Sequence, residues 1–140
     1  MCHRLAFGKR LATLPYTISR ADLLLTKVQI VQLNQKDAAD VAALLLDSGF
    51  SDDESGLNTS YVSELLSRDW GWWRTVTANL KWLEEILPAM GLDAESVRRL
   101  EGAIRTLRAA IDAQPKSVRW RTRASVGDRV PWYEEPEEVA

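Results

Sequence analysis

Lys27 is the residue whose position most invites a chemical reading. On a helix over 21–33 its neighbours three and four positions away are Leu23, Leu24, Ile30 and Val31, so an ammonium rises from an otherwise apolar face. Such a lysine must find an anion or reach water. Asn34 lies seven residues after Lys27 and seven before Val41, so two antiparallel helices joined there bring Asp40 close to Lys27, with Asp37 one turn away. A structural ion pair, or a packed stem with a solvated head, accounts for this pattern more often than catalysis does. Asp37, in a first turn, complements the helix dipole without any catalytic role, whereas Asp40 lies beyond that turn. As a metal site the pair is incomplete, because Mg²⁺ chemistry on nucleotides needs at least two carboxylates converging on phosphate.

Two other clusters combine aromatic and basic residues. Asp69-Trp70-Gly71-Trp72-Trp73-Arg74-Thr75 holds three of the six tryptophans. On a helix Trp70, Trp73 and Thr77 share a face and Trp72 points elsewhere, so at least one indole meets a partner surface or the C-terminal segment. Core packing is the ordinary explanation; a stacking platform for bases would also need basic residues beside the indoles. Arg119, Trp120, Arg121 and Arg123 supply that combination. On a strand the three arginines form a row able to contact phosphates while Trp120 faces the core. The acidic run Glu134-Glu135-Pro136-Glu137-Glu138 is near enough to fold back and neutralise them, which makes a self-paired or solvated face an equal reading.

Other chemistries lack their residues. The chain has no Asp-x-Asp after a Gly-Ser turn, no Walker loop and no Gly-x-Ser-x-Gly elbow. Cys2 is the one cysteine and His3 the one histidine, so neither an internal disulfide nor a zinc site built from them alone is expected, and a reducing, cytoplasmic setting is. No signal-peptide core and no apolar run of membrane-spanning length is present, so no membrane partner is expected.

The elements that must position these residues follow from local signals. The chain has 140 residues, of which 46% are hydrophobic and 27% charged, and this describes one globular domain rather than a disordered or coiled-coil chain. Eighteen basic residues against 20 acidic ones exclude a wholesale basic coat for nucleic acid, though not a local basic patch. Ser19 followed by Asp22 resembles a capping box and predicts a helix over 21–33. A second helix over 36–46 closes at Gly49 and completes a helical hairpin. After the polar loop 51–56, Asn58 caps a helix through about Ser67, and Asp69 caps another from Trp70 to about Leu87, stopped by Pro88 and Gly91. Asp93 caps a helix through Ala113 with Val97, Leu100, Ile104, Leu107 and Ile111 on one stripe.

The ends are less regular. Leu5, Phe7 and Leu11 predict a short N-terminal strand. Val118, Trp120, Thr122, Ala124 and Val126 alternate with Arg119, Arg121, Arg123 and Ser125, a period of two that favours a C-terminal β segment, although Pro115 could equally open a short helix. The expected fold is therefore mainly α: a helical hairpin with further helices, a short N-terminal strand and a β or helical C-terminal segment.

Taken together, the stretch from Thr17 to Val41, the Asp69-Trp-Gly-Trp-Trp-Arg-Thr-Val block, Pro115-Lys-Ser-Val-Arg-Trp, Val126-Gly-Asp-Arg-Val and Trp132-Tyr133 resemble the C-terminal part of nucleotidyltransferase-like proteins. These are related to the minimal nucleotidyltransferases and the abortive-infection type IV toxins. The resemblance implies that 1–50 is the end of an α+β nucleotidyltransferase core carrying the hairpin, 57–114 a C-terminal helical region, and 115–140 a basic segment with an acidic tail, all effectively one domain. It assigns Lys27 and Asp40 catalytic positions, and Lys27, Lys36 and Asp37 nucleotide binding. It also implies a parent enzyme moving NMP from NTP with Mg²⁺. The Gly-Ser and Asp-x-Asp half would lie upstream of Cys2, so the chain alone is expected to hold no metal or cofactor and not to transfer nucleotides. Its partners would be that missing half or a second copy of itself. The alternative is a non-catalytic helical module that binds protein or nucleic acid, the latter through Arg119, Arg121 and Arg123.

Overall fold

A computed structural model describes residues 2–135 and is mainly α. Six α-helices carry the structure: α1 Arg20–Val28, α2 Gln35–Asp47, α3 Thr59–Arg68, α4 Trp70–Ile86, α5 Ala94–Ala113 and α6 Val118–Val126. Each begins where a short polar side chain satisfies a free backbone N–H. Ser19 accepts from Asp22, Asn34 from Asp37, Asn58 from Tyr61, Asp69 from Trp72, Asp93 from Ser96 and Ser117 from Trp120. Among the described residues the strand content is one parallel pair, β1 Phe50–Ser51 beside β2 Leu57–Asn58. Gly56 enters this pair so closely that an added Cβ would run into the Gly49 carbonyl oxygen.

The core is a single cluster. Leu100, Ile104, Leu107 and Ile111 of α5 are fully buried against α3, α2 and α4, in one cluster with Leu24 and Leu25 of α1, Leu66 of α3, and Leu80 and Leu83 of α4. This is the expected α5 stripe, except that Val97 is only half-buried. No helix among the described residues is long and apolar enough to cross a membrane.

Three expectations are corrected. The N-terminal strand is absent: residues 2–19 hold no regular element, and 8–17 form turns, with the Leu11 N–H on the Phe7 carbonyl at 2.9 Å. Two or three alternating apolar residues make no strand without a sheet edge to pair with. The C-terminal segment takes the helical alternative, as α6, in place of the β segment that its alternation favoured. No residue of α6 is fully buried, so its period-two pattern meets no core that would select a strand, and Ser117 supplies a helix cap instead. Finally, α1 stops at Val28 rather than near Leu33. Asn79 of α4 donates to the carbonyls of Val28 at 2.9 Å and Ile30 at 2.7 Å, taking the acceptors that further helical turns would use.

What holds the irregular N-terminal segment is a polar cluster. The Arg10 guanidinium bonds Asp22 at 3.1 Å, Ser19 at 3.2 Å and Glu54 at 2.7 Å, and lies over the Tyr61 ring at 3.8 Å. Ser19 in turn donates to Asp22 at 2.6 Å. The Asp22 side chain is only 2% exposed. Burial and the neighbouring Asp22 carboxylate together push the Tyr61 hydroxyl above its ordinary pKa. One residue of the first 19 thus ties that segment to α1, to the β1–β2 loop and to α3.

Candidate functional site

The hairpin residues come together as the antiparallel geometry requires. Lys27 Nζ lies 2.7 Å from Asp40 and 3.3 Å from Asp37, and Asn34 donates to Asp37 at 2.8 Å. The hydrogen bond to Lys27 holds the Asp40 carboxyl below its usual range, and Asp40 first, then Asp37, hold the ammonium above its own. A lysine bracketed by two carboxylates stays protonated at neutral pH, so it is neither base nor nucleophile there. To meet a phosphate it must exchange Asp40 for the ligand. Lys36 is exposed near Asp40 and contributes only its long-range charge. A shallow hollow of about 490 Å³ beside Lys27 and Asp40 is floored by Leu23, Ala43 and Leu44. Among the described residues no group of three His, Cys, Asp or Glu side chains is placed to hold a metal ion.

A second and larger feature lies where α4 begins. An open groove of about 830 Å³ runs between the α3–α4 junction, α6 and the two ends of the chain. Because α6 is helical, Arg119 and Arg123 stand one turn apart on the groove side, while Arg121 points away and does not line it. The row of three is therefore a pair. Arg68 and Arg4 also line it, and the half-exposed Trp132 and Tyr133 supply its aromatic surface beside the buried Trp70.

These four arginines differ in freedom. Arg123 donates to the carbonyls of Gly127 at 2.8 Å and Val130 at 2.6 Å, and its guanidinium lies 4.6 Å from the Trp70 ring centre. It fixes the end of α6 and the chain beyond it. Arg4 pairs with Glu134 at 3.1 Å, and Arg68 pairs with Glu64 one turn back. Both pairs are solvent-exposed and each is worth under about 1 kcal/mol, so a phosphate can displace either carboxylate. Arg119 is exposed and makes no ion pair or hydrogen bond among the described residues. The groove acids are Asp69, engaged as the α4 cap, and Glu134.

The tryptophans build the walls. Trp70 meets Trp132 edge-on at 5.9 Å, and Trp73 meets Trp120 edge-on at 5.1 Å, so both indoles of the α4 face pack on the C-terminal segment. Trp72 points the other way and stacks on His3 at 4.8 Å. Gly71 is required by the same contact, because a Cβ there would sit 2.8 Å from the Trp132 carbonyl oxygen. Helix α6 is latched by the Ser117 N–H on the Ser67 carbonyl at 2.9 Å and by a two-pronged Arg74–Asp128 pair at 3.0 and 2.9 Å. Of the acidic run expected to cover the arginines, Glu134 reaches Arg4 instead; Pro136, Glu137 and Glu138 lie outside the described residues.

Sequence reasoning missed Arg4, Arg68 and Trp132 as groove residues. The available signal was Arg68 standing directly before the Asp69 cap, which puts a cation beside a helix start rich in tryptophan. Compared with protein-family models, with curated proteins and with solved structures, the chain matches none.

Proposed function

We propose that the chain is a helical interaction module that takes single-stranded nucleic acid in the groove between α4, α6 and the chain ends. One observation carries this reading: Arg119, Arg68 and Arg4, beside the already hydrogen-bonded Arg123, line a concave surface on which Trp132 and Tyr133 are half-exposed, while Trp70 is buried. Guanidinium groups recognise phosphates, and half-exposed rings offer faces to unpaired bases. A duplex would present its phosphates without free base faces, which leaves Trp132 and Tyr133 unused.

Fluorescence anisotropy with a labelled 12-nucleotide single strand tests the proposal. With about three phosphates neutralised, log K should fall against log salt with a slope near −2, and Arg119→Ala should flatten it by about 0.7. A matched duplex should bind more weakly. Salt-insensitive binding, or an Arg119→Ala slope equal to that of the unsubstituted chain, overturns the reading.

A second reading follows the nucleotidyltransferase resemblance and is favoured by the meeting of Lys27, Asp37 and Asp40 beside the turn of the hairpin. In it, Lys27 contacts nucleotide phosphate and Asp40 orients the lysine, with Lys36 and Asp37 at the site's edge. The carboxylates that hold Mg²⁺ come from outside this chain. The purified chain incubated with Mg²⁺ and labelled NTP should then transfer no NMP by itself. Transfer that Lys27→Ala abolishes would show that the chain carries the complete site.

A further inference from the structure

Residues 2–4 and 131–134 form one wall of the groove, and the two segments meet on a single hydroxyl. Thr75 Oγ1, which is buried, accepts from Trp132 Nε1 at 3.1 Å and lies 2.8 Å from His3 Nε2. With its lone pairs turned to Trp132, the hydroxyl satisfies all three groups when its own hydrogen goes to His3. The imidazole is then neutral, with its proton on Nδ1. Around this hub the Glu134 N–H donates to the Cys2 carbonyl at 3.1 Å, and the His3 N–H reaches Gln29 Oε1 at 3.4 Å.

We infer that these ends form a strap that loosens when His3 takes up a proton, with the Thr75 hydroxyl as the catch. Protonation turns Nε2 from acceptor into donor, so the hydrogen of the buried Thr75 hydroxyl loses its partner. It also places a charge on a ring that is 7% exposed and stacked on Trp72.

The charges facing the ring do not cancel that cost. From the α4 cap Asp69 attracts the cation, while Arg74 stands over the Trp132 ring and is paired with Asp128. Arg4 and Glu134 neutralise one another at the rim. Arg119 and Arg123 line the same groove from α6, and Gln29 is neutral.

Burial pushes the His3 imidazole below its ordinary value, and the Asp69 charge recovers only part of the shift. The closed strap therefore prefers the neutral ring. It is fully held above the ordinary value of 6.5 and weakens as pH falls through and below that value. The strap stands whatever the groove binds.

Hydrogen exchange of the free protein tests the strap without any ligand. The Glu134 amide and the Trp132 indole N–H, corrected for intrinsic rates, should lose protection severalfold between pH 7.5 and 5.5, while α5 amides keep theirs. His3→Gln keeps an acceptor for Thr75 but cannot titrate, so its protection should be flat across that range. Should that variant fail to fold, ¹⁵N NMR of the unsubstituted chain decides. The neutral tautomer must carry its proton on Nδ1, and the imidazole midpoint must lie below 6.5 and coincide with the loss of protection. Protection unchanged by pH, a His3→Gln profile matching the unsubstituted chain, or mismatched midpoints overturn the inference.

Discussion

Asp22→Ala should lower the stability of this protein by about 3 kcal/mol, because it removes one partner from a buried ion pair and leaves the other in place. The Asp22 carboxylate is almost sealed from water and accepts from Arg10 and Ser19, while Arg10 is itself only 20% exposed. Without Asp22, Arg10 retains only Glu54 on the carboxylate side. For a chain of this length the loss corresponds to a fall of roughly 10 °C in Tm, which thermal melting by far-UV circular dichroism would read. Asp22→Asn preserves shape and one acceptor, and should cost about half as much. A loss below about 1 kcal/mol in the alanine variant would mean that Glu54 alone satisfies the guanidinium.

Asn79→Leu should be of comparable severity, at about 2–4 kcal/mol. Leucine keeps the branched four-atom outline of asparagine but with bulkier methyl groups, so the loss combines missing hydrogen bonds with some crowding. The Asn79 amide is buried and serves the carbonyls of both Val28 and Ile30, and each buried carbonyl left alone costs about 1–3 kcal/mol. Denaturant unfolding would measure the loss. Amide exchange should show it concentrated at the end of α1 and the following turn, since that is where α4 holds α1. Uniform loosening across α5 would argue against this account.

These two residues also mark where reading the sequence stops working. Helix starts were legible because a cap acts over three residues: Ser19, Asn58, Asp69 and Asp93 each sit one position before an observed helix. The close of α1 was not legible, because its cause lies some fifty residues away in Asn79. The Arg10–Asp22–Glu54 cluster was hidden for the same reason. The Lys27–Asp40 contact was legible, since a hairpin fixes which residues face each other across a short turn. The groove was legible only in its composition. Alternation over 118–126 suggested a strand, and that geometry would have aligned Arg119, Arg121 and Arg123; the helix instead separates Arg121 from the other two and brings Arg68 and Arg4 to them. Periodicity reports which face a core will cover, and α6 has no face that the core covers fully.

All six tryptophans, at positions 70, 72, 73, 82, 120 and 132, belong to α4 or to the segment after α5. Intrinsic fluorescence of this protein is consequently a local gauge of α4, α6 and the strapped ends, blind to the α1–α2 hairpin, which far-UV ellipticity does report. The edge-on indole pairs Trp70–Trp132 and Trp73–Trp120 should also give exciton-coupled bands that vanish when the C-terminal segment leaves α4, even with every helix intact. An unfolding experiment followed by both signals would show whether the hairpin and the groove melt as one body or as two.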